Sequence, residues 1–191
     1  MKITEGGVCA AKGFKANGIH CGIRKNRTKR DLSLIISESK ASAAAVYTTN
    51  LVKGAPLAVT KRNIANGYAQ AIICNSGNAN TCNAGGEEIA EQMCALVGKE
   101  LSIDSTDVVV ASTGVIGQPL DIAPIASGMS ELASGLSENG GDAAAEGIMT
   151  TDTVKKEVAV EFELGGKICK IGGIAKGSGM IIPTWQPCSF S

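Results

Sequence analysis

The sequence predicts an α/β fold in which helices cover mixed, layered β-sheets. Segments rich in Val, Ile and Thr alternate along the chain with segments whose apolar residues recur at helical spacing. The chain has 191 residues, of which 44% are hydrophobic, so it is long enough to bury one or two substantial cores. No internal repeat or low-complexity linker interrupts the pattern, so we expect one domain or two subdomains.

Short β segments separated by turns are predicted over the first sixty residues. They cover residues 31–37, 44–49 and 56–60, where β-branched and aromatic residues are enriched. The basic run at 24–30 directly precedes the first of them. We interpret this run as a solvated hairpin tip, with a phosphate-binding patch as the alternative.

Three helices are predicted in the middle of the chain. The clearest has Glu87 and Glu88 in its first turn, where acidic residues are favourable, and an apolar stripe at spacings of four and three: Ile89, Met93, Leu96, Val97 and Leu101. The second has Asp121 as its cap and another such stripe: Ile122, Ile125, Met129, Leu132 and Leu136. The third and shortest covers residues 142–149.

The remaining strands are marked by apolar runs and by alternation. Residues 71–74 and 108–110 are continuous apolar runs, typical of buried strands. Residues 157–164 alternate apolar and polar side chains, and after Gly165-Gly166 the pattern returns over 168–174. Two glycines between alternating segments predict a β-hairpin with a two-residue turn.

Composition disfavours several classes of function. Eighteen basic residues balance eighteen acidic ones, and aromatics make up only 3%, so neither a nucleic-acid surface nor an anionic membrane is an expected partner. The seven cysteines form no CxxC pair and His20 is the only histidine, so zinc-ligand spacing is absent from the sequence. With no apolar leader segment in the sequence, reduced thiols and a cytoplasmic location are expected.

Three loops combine glycine with small polar residues where apolar strands end. They cover residues 75–80, 112–117 and 176–180. Backbone N–H groups in such loops can point at an anionic ligand, although each loop taken singly is more often an ordinary turn. A dinucleotide-binding fingerprint is not expected, because Gly177-Ser178-Gly179 lacks its third glycine. A Ser-His-Asp triad would have to use His20, which we expect to be packed or solvated instead.

Several of these segments together resemble the ornithine acetyltransferase (glutamate N-acetyltransferase) family of arginine biosynthesis. The resemblance extends to Pro183 and rests on six segments in the family's order: GFKA at 13–16, TTNLVK at 48–53, NSGNAN at 75–80, ASTGVIG at 111–117, IMTTDT at 148–153 and AKGSGMI at 175–181. It implies a fold similar to the family's amino-terminal-nucleophile-like fold. It also implies a self-processing acyltransferase in which an internal Ala-Thr bond breaks and the freed threonine becomes the nucleophile of a second chain.

The resemblance implies roles for four residues. Thr113 and Gly114 match the family's oxyanion hole, and Thr150 and Lys176 match substrate-binding positions. Thr151 and the asparagines of 75–80 are weaker candidates. We expect them to contact the residues that form the site rather than the substrate. The implied substrates are N-acetylornithine and glutamate, and the implied partner is the second (beta) chain. No metal or organic cofactor is implied, although some members also accept acetyl-CoA as the acetyl donor.

The sequence departs from the family after Pro183. The family pattern continues Asn-Met-Ala-Thr-Met, whereas this chain has Thr184-Trp-Gln-Pro-Cys188, with Pro187 in the nucleophile's place. Deleting one base from codons for the expected pentapeptide yields the observed one, so we hypothesise a single-base frameshift. Residues 1–183 would then be the alpha-chain region and 184–191 an aberrant tail, inactive without its nucleophile. Two alternatives stay open: an amino-terminal-nucleophile aminopeptidase or amidohydrolase, and a non-catalytic fragment that partners a separate second half.

Overall fold

The structure, a computed structural model, describes residues 1–26 and 28–178 and contains two β-sheets within these ranges. The larger sheet has four strands in the order β2 (Phe14–Ile19), β3 (Leu32–Ser42), β4 (Tyr68–Asn75) and β5 (Val108–Ser112). Its first three strands are antiparallel, whereas β4 and β5 run parallel. The smaller sheet is antiparallel, with β6 (Lys156–Leu164) between β1 (Lys2–Thr4) and β7 (Lys167–Ala175).

Helices cover both faces of the larger sheet. The helices α1 (Ala55–Asn63), α2 (Gly86–Leu101) and α3 (Ala123–Ser134) bury the face that carries Leu34 and Ile73. On the opposite face α4 (Gly141–Gly147) packs against β2 and β3 over a smaller core of Cys9, Ala16, Ile35 and Ala144. The predicted α/β class is therefore confirmed.

Most predicted elements are present. The strands predicted at 31–37, 71–74 and 108–110 overlap β3, β4 and β5. The two glycines at 165–166 join β6 to β7, both with positive φ, as a two-residue hairpin turn requires. The three predicted helices are α2, α3 and α4, and the Asp121 carboxylate accepts a hydrogen bond of 2.9 Å from the Ala123 N–H at the start of α3.

Two predicted strands are wrong. Residues 56–60 lie in α1, where Pro56 occupies the first turn and Pro56, Val59 and Thr60 are buried at helical spacing. Proline is well tolerated there because the first turn has no intrahelical partner for its N–H. Residues 44–49 form no strand, because β3 ends at Ser42 and the described part of the chain offers them no neighbouring strand.

The basic run at 24–30 does connect two paired strands, β2 and β3, as the hairpin interpretation predicted. Within the described ranges, no helix is both long and apolar enough to cross a bilayer. The same ranges hold no group of three or more side chains placed to ligate a metal ion.

Candidate functional site

A cleft of about 620 Å³ opens at the edge of the larger sheet where β4 and β5 end. Because these strands are parallel, the loops that follow them leave the sheet from the same edge, the usual place for a ligand site in such sheets. The loops after α4 and β7 complete the walls. All four residues predicted to carry the site line this one cleft: Thr113, Gly114, Thr150 and Lys176.

The asparagines at 75–80 hold the cleft loops in shape. The Asn75 amide donates to Ser112 Oγ at 2.7 Å, and its oxygen accepts from the N–H groups of Gly77 and Asn78. The Asn78 amide donates to Gln118 O at 3.0 Å, which ties the loop after β4 to the loop after β5. Neither amide lines the cleft, so the prediction of a supporting role agrees with their placement.

Thr113 and Gly114 each keep one hydrogen-bond donor for a ligand. The Thr113 N–H is used, because it donates to Asn75 O at 2.9 Å. Among the described residues, nothing accepts a hydrogen bond from the Thr113 hydroxyl or from the Gly114 N–H. Two unused donors on one turn could together stabilise an oxyanion.

Gly114 is required by its surroundings. Its φ is +127°, a region that side chains rarely adopt, and a Cβ added there would lie 2.5 Å from the backbone C and O of Gly77. The loops after β4 and β5 therefore lie so close together at Gly114 that a residue with a Cβ atom does not fit there. This contact lies on the turn that carries the Gly114 N–H.

Lys176 reaches the cleft from the end of β7, and Thr150 from the loop after α4. Both contact Asp152, whose role the sequence did not reveal although this residue lies inside the IMTTDT motif. Burial alone would raise the pKa of Asp152. Hydrogen bonds from Lys156, Thr150 and Gly177 and the nearby Lys176 charge outweigh burial and hold that pKa well below its usual range.

Arg24 also lines the cleft, which corrects the interpretation of the whole basic run as solvated. Its guanidinium donates to two backbone carbonyls, those of Ser76 and Met149, with Nε at 2.8 Å from Ser76 O. The side chain thereby ties the loop after β4 to the loop after α4. Burial lowers the pKa of Arg24. An arginine that faces a cleft and an arginine that faces solvent look the same in a run of basic residues. No local feature of the sequence therefore distinguished Arg24 from its neighbours.

Neither a described cysteine nor His20 lines this cleft. Burial raises the pKa of the Cys74 thiol to about 12 and that of Cys21 to about 12, so both stay protonated near neutral pH. His20 lies outside the cleft lining, with Nδ1 3.0 Å from Lys29 O and 3.2 Å from the buried Asp31 carboxylate. It is packed, as the sequence analysis expected. The six described cysteines are free thiols, and the cytoplasmic location stays a prediction.

The cleft can therefore hold a ligand that carries both a carboxylate and a carbonyl group. Lys176 supplies a cation for the carboxylate, while the Thr113 hydroxyl and Gly114 N–H can receive the oxygen of a carbonyl under attack. Two features of the sequence lie outside the described residues: the segment 184–188, where the chain departs from the family's cleavage-site pattern, and the end of the 175–181 motif. Whether the four residues carry the predicted roles stays a prediction, but the structure does bring them together.

Comparison with known proteins identifies close relatives. The ArgJ family model matches residues 15–186. The arginine biosynthesis bifunctional protein ArgJ of Gloeobacter violaceus is 50% identical over 181 residues, which are 94% of this chain and 44% of the relative. The glutamate N-acetyltransferase of Methanocaldococcus jannaschii is 44% identical over 185 residues, again 44% of its length. The chain thus spans less than half the length of these curated relatives.

Solved structures match the fold. The crystal structure of ArgJ from Bacillus halodurans has a TM-score of 0.90 and 43% identity, covering 96% of this chain and 96% of that one. Ornithine acetyltransferase from Mycobacterium tuberculosis, solved with ornithine, has a TM-score of 0.85 and 34% identity, covering 96% of this chain and 98% of that one. The fold implied by the sequence resemblance is therefore confirmed.

Proposed function

Because this chain belongs to the ArgJ family, we propose that it forms the alpha-chain half of a glutamate N-acetyltransferase that moves an acetyl group from N-acetylornithine to glutamate in arginine biosynthesis. The observation that carries the proposal is the cleft itself. Two unused donors, Thr113 Oγ1 and Gly114 N–H, and one ammonium, that of Lys176, line a single space of about 620 Å³. That space is large enough for one acetylated amino acid.

The proposed reaction has two half-reactions. A threonine of the second chain attacks the acetyl carbonyl, and the Thr113 hydroxyl and Gly114 N–H stabilise the resulting oxyanion. The carbon–nitrogen bond then breaks, ornithine leaves with the proton on its amine, and the acetyl group stays on the threonine. The amine of glutamate next attacks this ester and regenerates the threonine hydroxyl. Lys176 binds the α-carboxylate of each substrate in turn.

Two observations support a second chain as partner. This chain covers only 44% of two curated relatives but 96% and 98% of single chains in the solved structures, as expected if the family protein is divided into two chains of similar size. Nothing in the described part of the chain covers one apolar face of the smaller sheet. On it Val160 pairs with Ile3 on one side and Ile171 on the other, and Ile3 is 82% and Ile171 57% exposed. An exposed apolar face of this kind typically marks an interface.

We also propose that the chain as given transfers no acetyl group by itself. Pro187 stands where the family pattern places the threonine, and proline offers neither a hydroxyl nor a primary amine. Removing a nucleophile leaves at most the residual catalysis of the oxyanion donors. The single-base frameshift stays our hypothesis for the origin of residues 184–191, and sequencing the gene around codon 184 tests it.

A completed chain tests the proposal. It consists of residues 1–183, then the Asn-Met-Ala-Thr-Met of the family pattern, then the part of the Gloeobacter violaceus relative that follows the corresponding position. We expect it to cleave itself and to transfer acetyl from N-acetylornithine to glutamate, whereas the 191-residue chain should not. Acetyl-CoA is offered as an alternative donor in the same assay. A cleaved, folded protein that hydrolyses peptides but transfers no acetyl group would contradict the proposal and favour an aminopeptidase.

A further inference from the structure

The Asp152 carboxylate connects two loops that lie far apart in the sequence. Its side chain is only 3% exposed. One oxygen, Oδ2, accepts a hydrogen bond from the Thr150 N–H at 3.1 Å, and the other, Oδ1, accepts from the Gly177 N–H at 2.6 Å. The carboxylate thereby fastens the loop after α4 to the segment that comes after β7. These two segments carry Thr150 and Lys176, the residues proposed to bind substrate.

The second loop approaches the carboxylate closely at Gly177. A Cβ added at Gly177 would lie 2.5 Å from Asp152 Oδ1 and 3.1 Å from Lys156 Nζ. A side chain at 177 would therefore force either the Asp152 and Lys156 side chains or the loop itself to shift. The glycine of the AKGSGMI motif and the aspartate of the IMTTDT motif thus form one contact, which neither motif reveals alone.

Two ammonium groups share this single carboxylate. Lys156 Nζ lies 2.9 Å from Oδ1, and Lys176 Nζ lies 3.6 Å from Oδ2 while donating to Gly177 O at 2.8 Å. Within the described ranges neither lysine pairs with a second acidic side chain, so this cluster carries one net positive charge beside the cleft. Lys156 lies nearer to the carboxylate and takes the closer contact, so Lys176 keeps the capacity to bind a second anion.

We propose that Asp152 is a positioning residue, which holds the Lys176 ammonium and, through the Thr150 N–H, the Thr150 side chain where they receive the α-carboxylate of the amino-acid substrate. The identity of this ligand rests on the proposed function. Lys176 would contact the carboxylate equally before and during acetyl transfer. Loss of its support should therefore weaken binding more than it slows the chemical step.

Steady-state kinetics of the completed chain measure the effect. Asp152→Asn keeps the shape of the side chain but removes the charge and replaces one acceptor with a donor. We expect the KM for glutamate to rise about 10-fold or more, as the loss of charge-assisted hydrogen bonds implies, while kcat changes less than about threefold. Asp152→Glu should recover part of the loss, since it restores the charge at a displaced position.

Asp107→Asn is the matched control. Asp107 is also a buried aspartate, with a side chain 4% exposed and paired with Lys40 at 2.6 Å, but it lies at the opposite end of β5 from the cleft. It should lower stability and leave the KM unchanged. If both asparagine variants raise the KM alike, or if Asp152→Asn leaves it unchanged, the positioning role is wrong.

Amide hydrogen exchange on the completed chain gives a second readout that needs no substrate. Asp152→Asn should accelerate exchange at Thr150 and Gly177 by about 10-fold or more, and Asp107→Asn should not. Unchanged exchange at both amides overturns the role of Asp152 whatever the kinetics show. If the unsubstituted completed chain transfers no acetyl group, the proposed function fails, and exchange at Thr150 and Gly177 still decides whether Asp152 fixes these loops.

Discussion

Replacing Thr113 with valine should remove one oxyanion donor with little change in shape. The backbone N–H of Thr113 is already bound to Asn75 O at 2.9 Å, so the hydroxyl is the only donor that this residue can offer a ligand. Valine keeps that backbone hydrogen bond and fills nearly the same volume. Losing one oxyanion donor costs about 10²–10³-fold in kcat, equivalent to roughly 2.7–4 kcal/mol of transition-state stabilisation. The donor acts on the transition state, so the KM should stay nearly constant.

The assay is initial-rate acetyl transfer from N-acetylornithine to glutamate by the completed chain. Thr113→Ser keeps the hydroxyl and should retain most of the activity. Thr60→Val is the matched control, because the buried Thr60 hydroxyl donates to Val110 O at 2.7 Å within the core. It should cost roughly 1–3 kcal/mol of stability and leave kcat unchanged. A folded Thr113→Val variant that loses less than about threefold in kcat would refute the role given to this hydroxyl.

Three further predictions concern the cleft and its support. Gly114→Ala should lower the free energy of unfolding by roughly 1–3 kcal/mol, since its Cβ would meet the Gly77 backbone at 2.5 Å. Denaturant unfolding measures this loss, and a stability equal to that of the unsubstituted protein would contradict the prediction. Arg24→Lys should lose roughly 1–2 kcal/mol, because an ammonium cannot span the Ser76 and Met149 carbonyls as a guanidinium does, and the same unfolding assay checks it. The lowered pKa of Asp152 means that its contribution to stability is present above about pH 4 and is lost as the pH falls further, so Asp152→Asn should flatten the acid limb of a stability curve.

The sequence predicted the elements whose patterns are local. The stripe along α2 and the alternation through β6 and β7 result directly from burial of one face. The interpretation of 56–60 as a strand was wrong because Pro56 lies in the first turn of a helix, a position that proline also favours. The strand predicted at 44–49 was wrong because β propensity has no effect without a partner strand.

The site was predicted in part. The motif resemblance identified Thr113, Gly114, Thr150 and Lys176, which the structure places in one cleft. The sequence did not reveal the roles of Asp152 and Arg24, because these roles depend on contacts with residues distant in the sequence. Asp152 contacts Gly177, and Arg24 contacts Met149. The register of the sheets and the packing of α4 create these contacts. No spacing within the sequence encodes them.

The most direct test is a crystal structure of the completed chain with N-acetylglutamate, the product, which carries both an acetyl carbonyl and an α-carboxylate. We expect the carbonyl oxygen about 2.7–3.1 Å from the Gly114 nitrogen and from Thr113 Oγ1. We also expect the α-carboxylate within hydrogen-bonding distance of Lys176 Nζ. A product molecule bound elsewhere, or bound in this cleft with its carboxylate turned away from Lys176, would contradict the account.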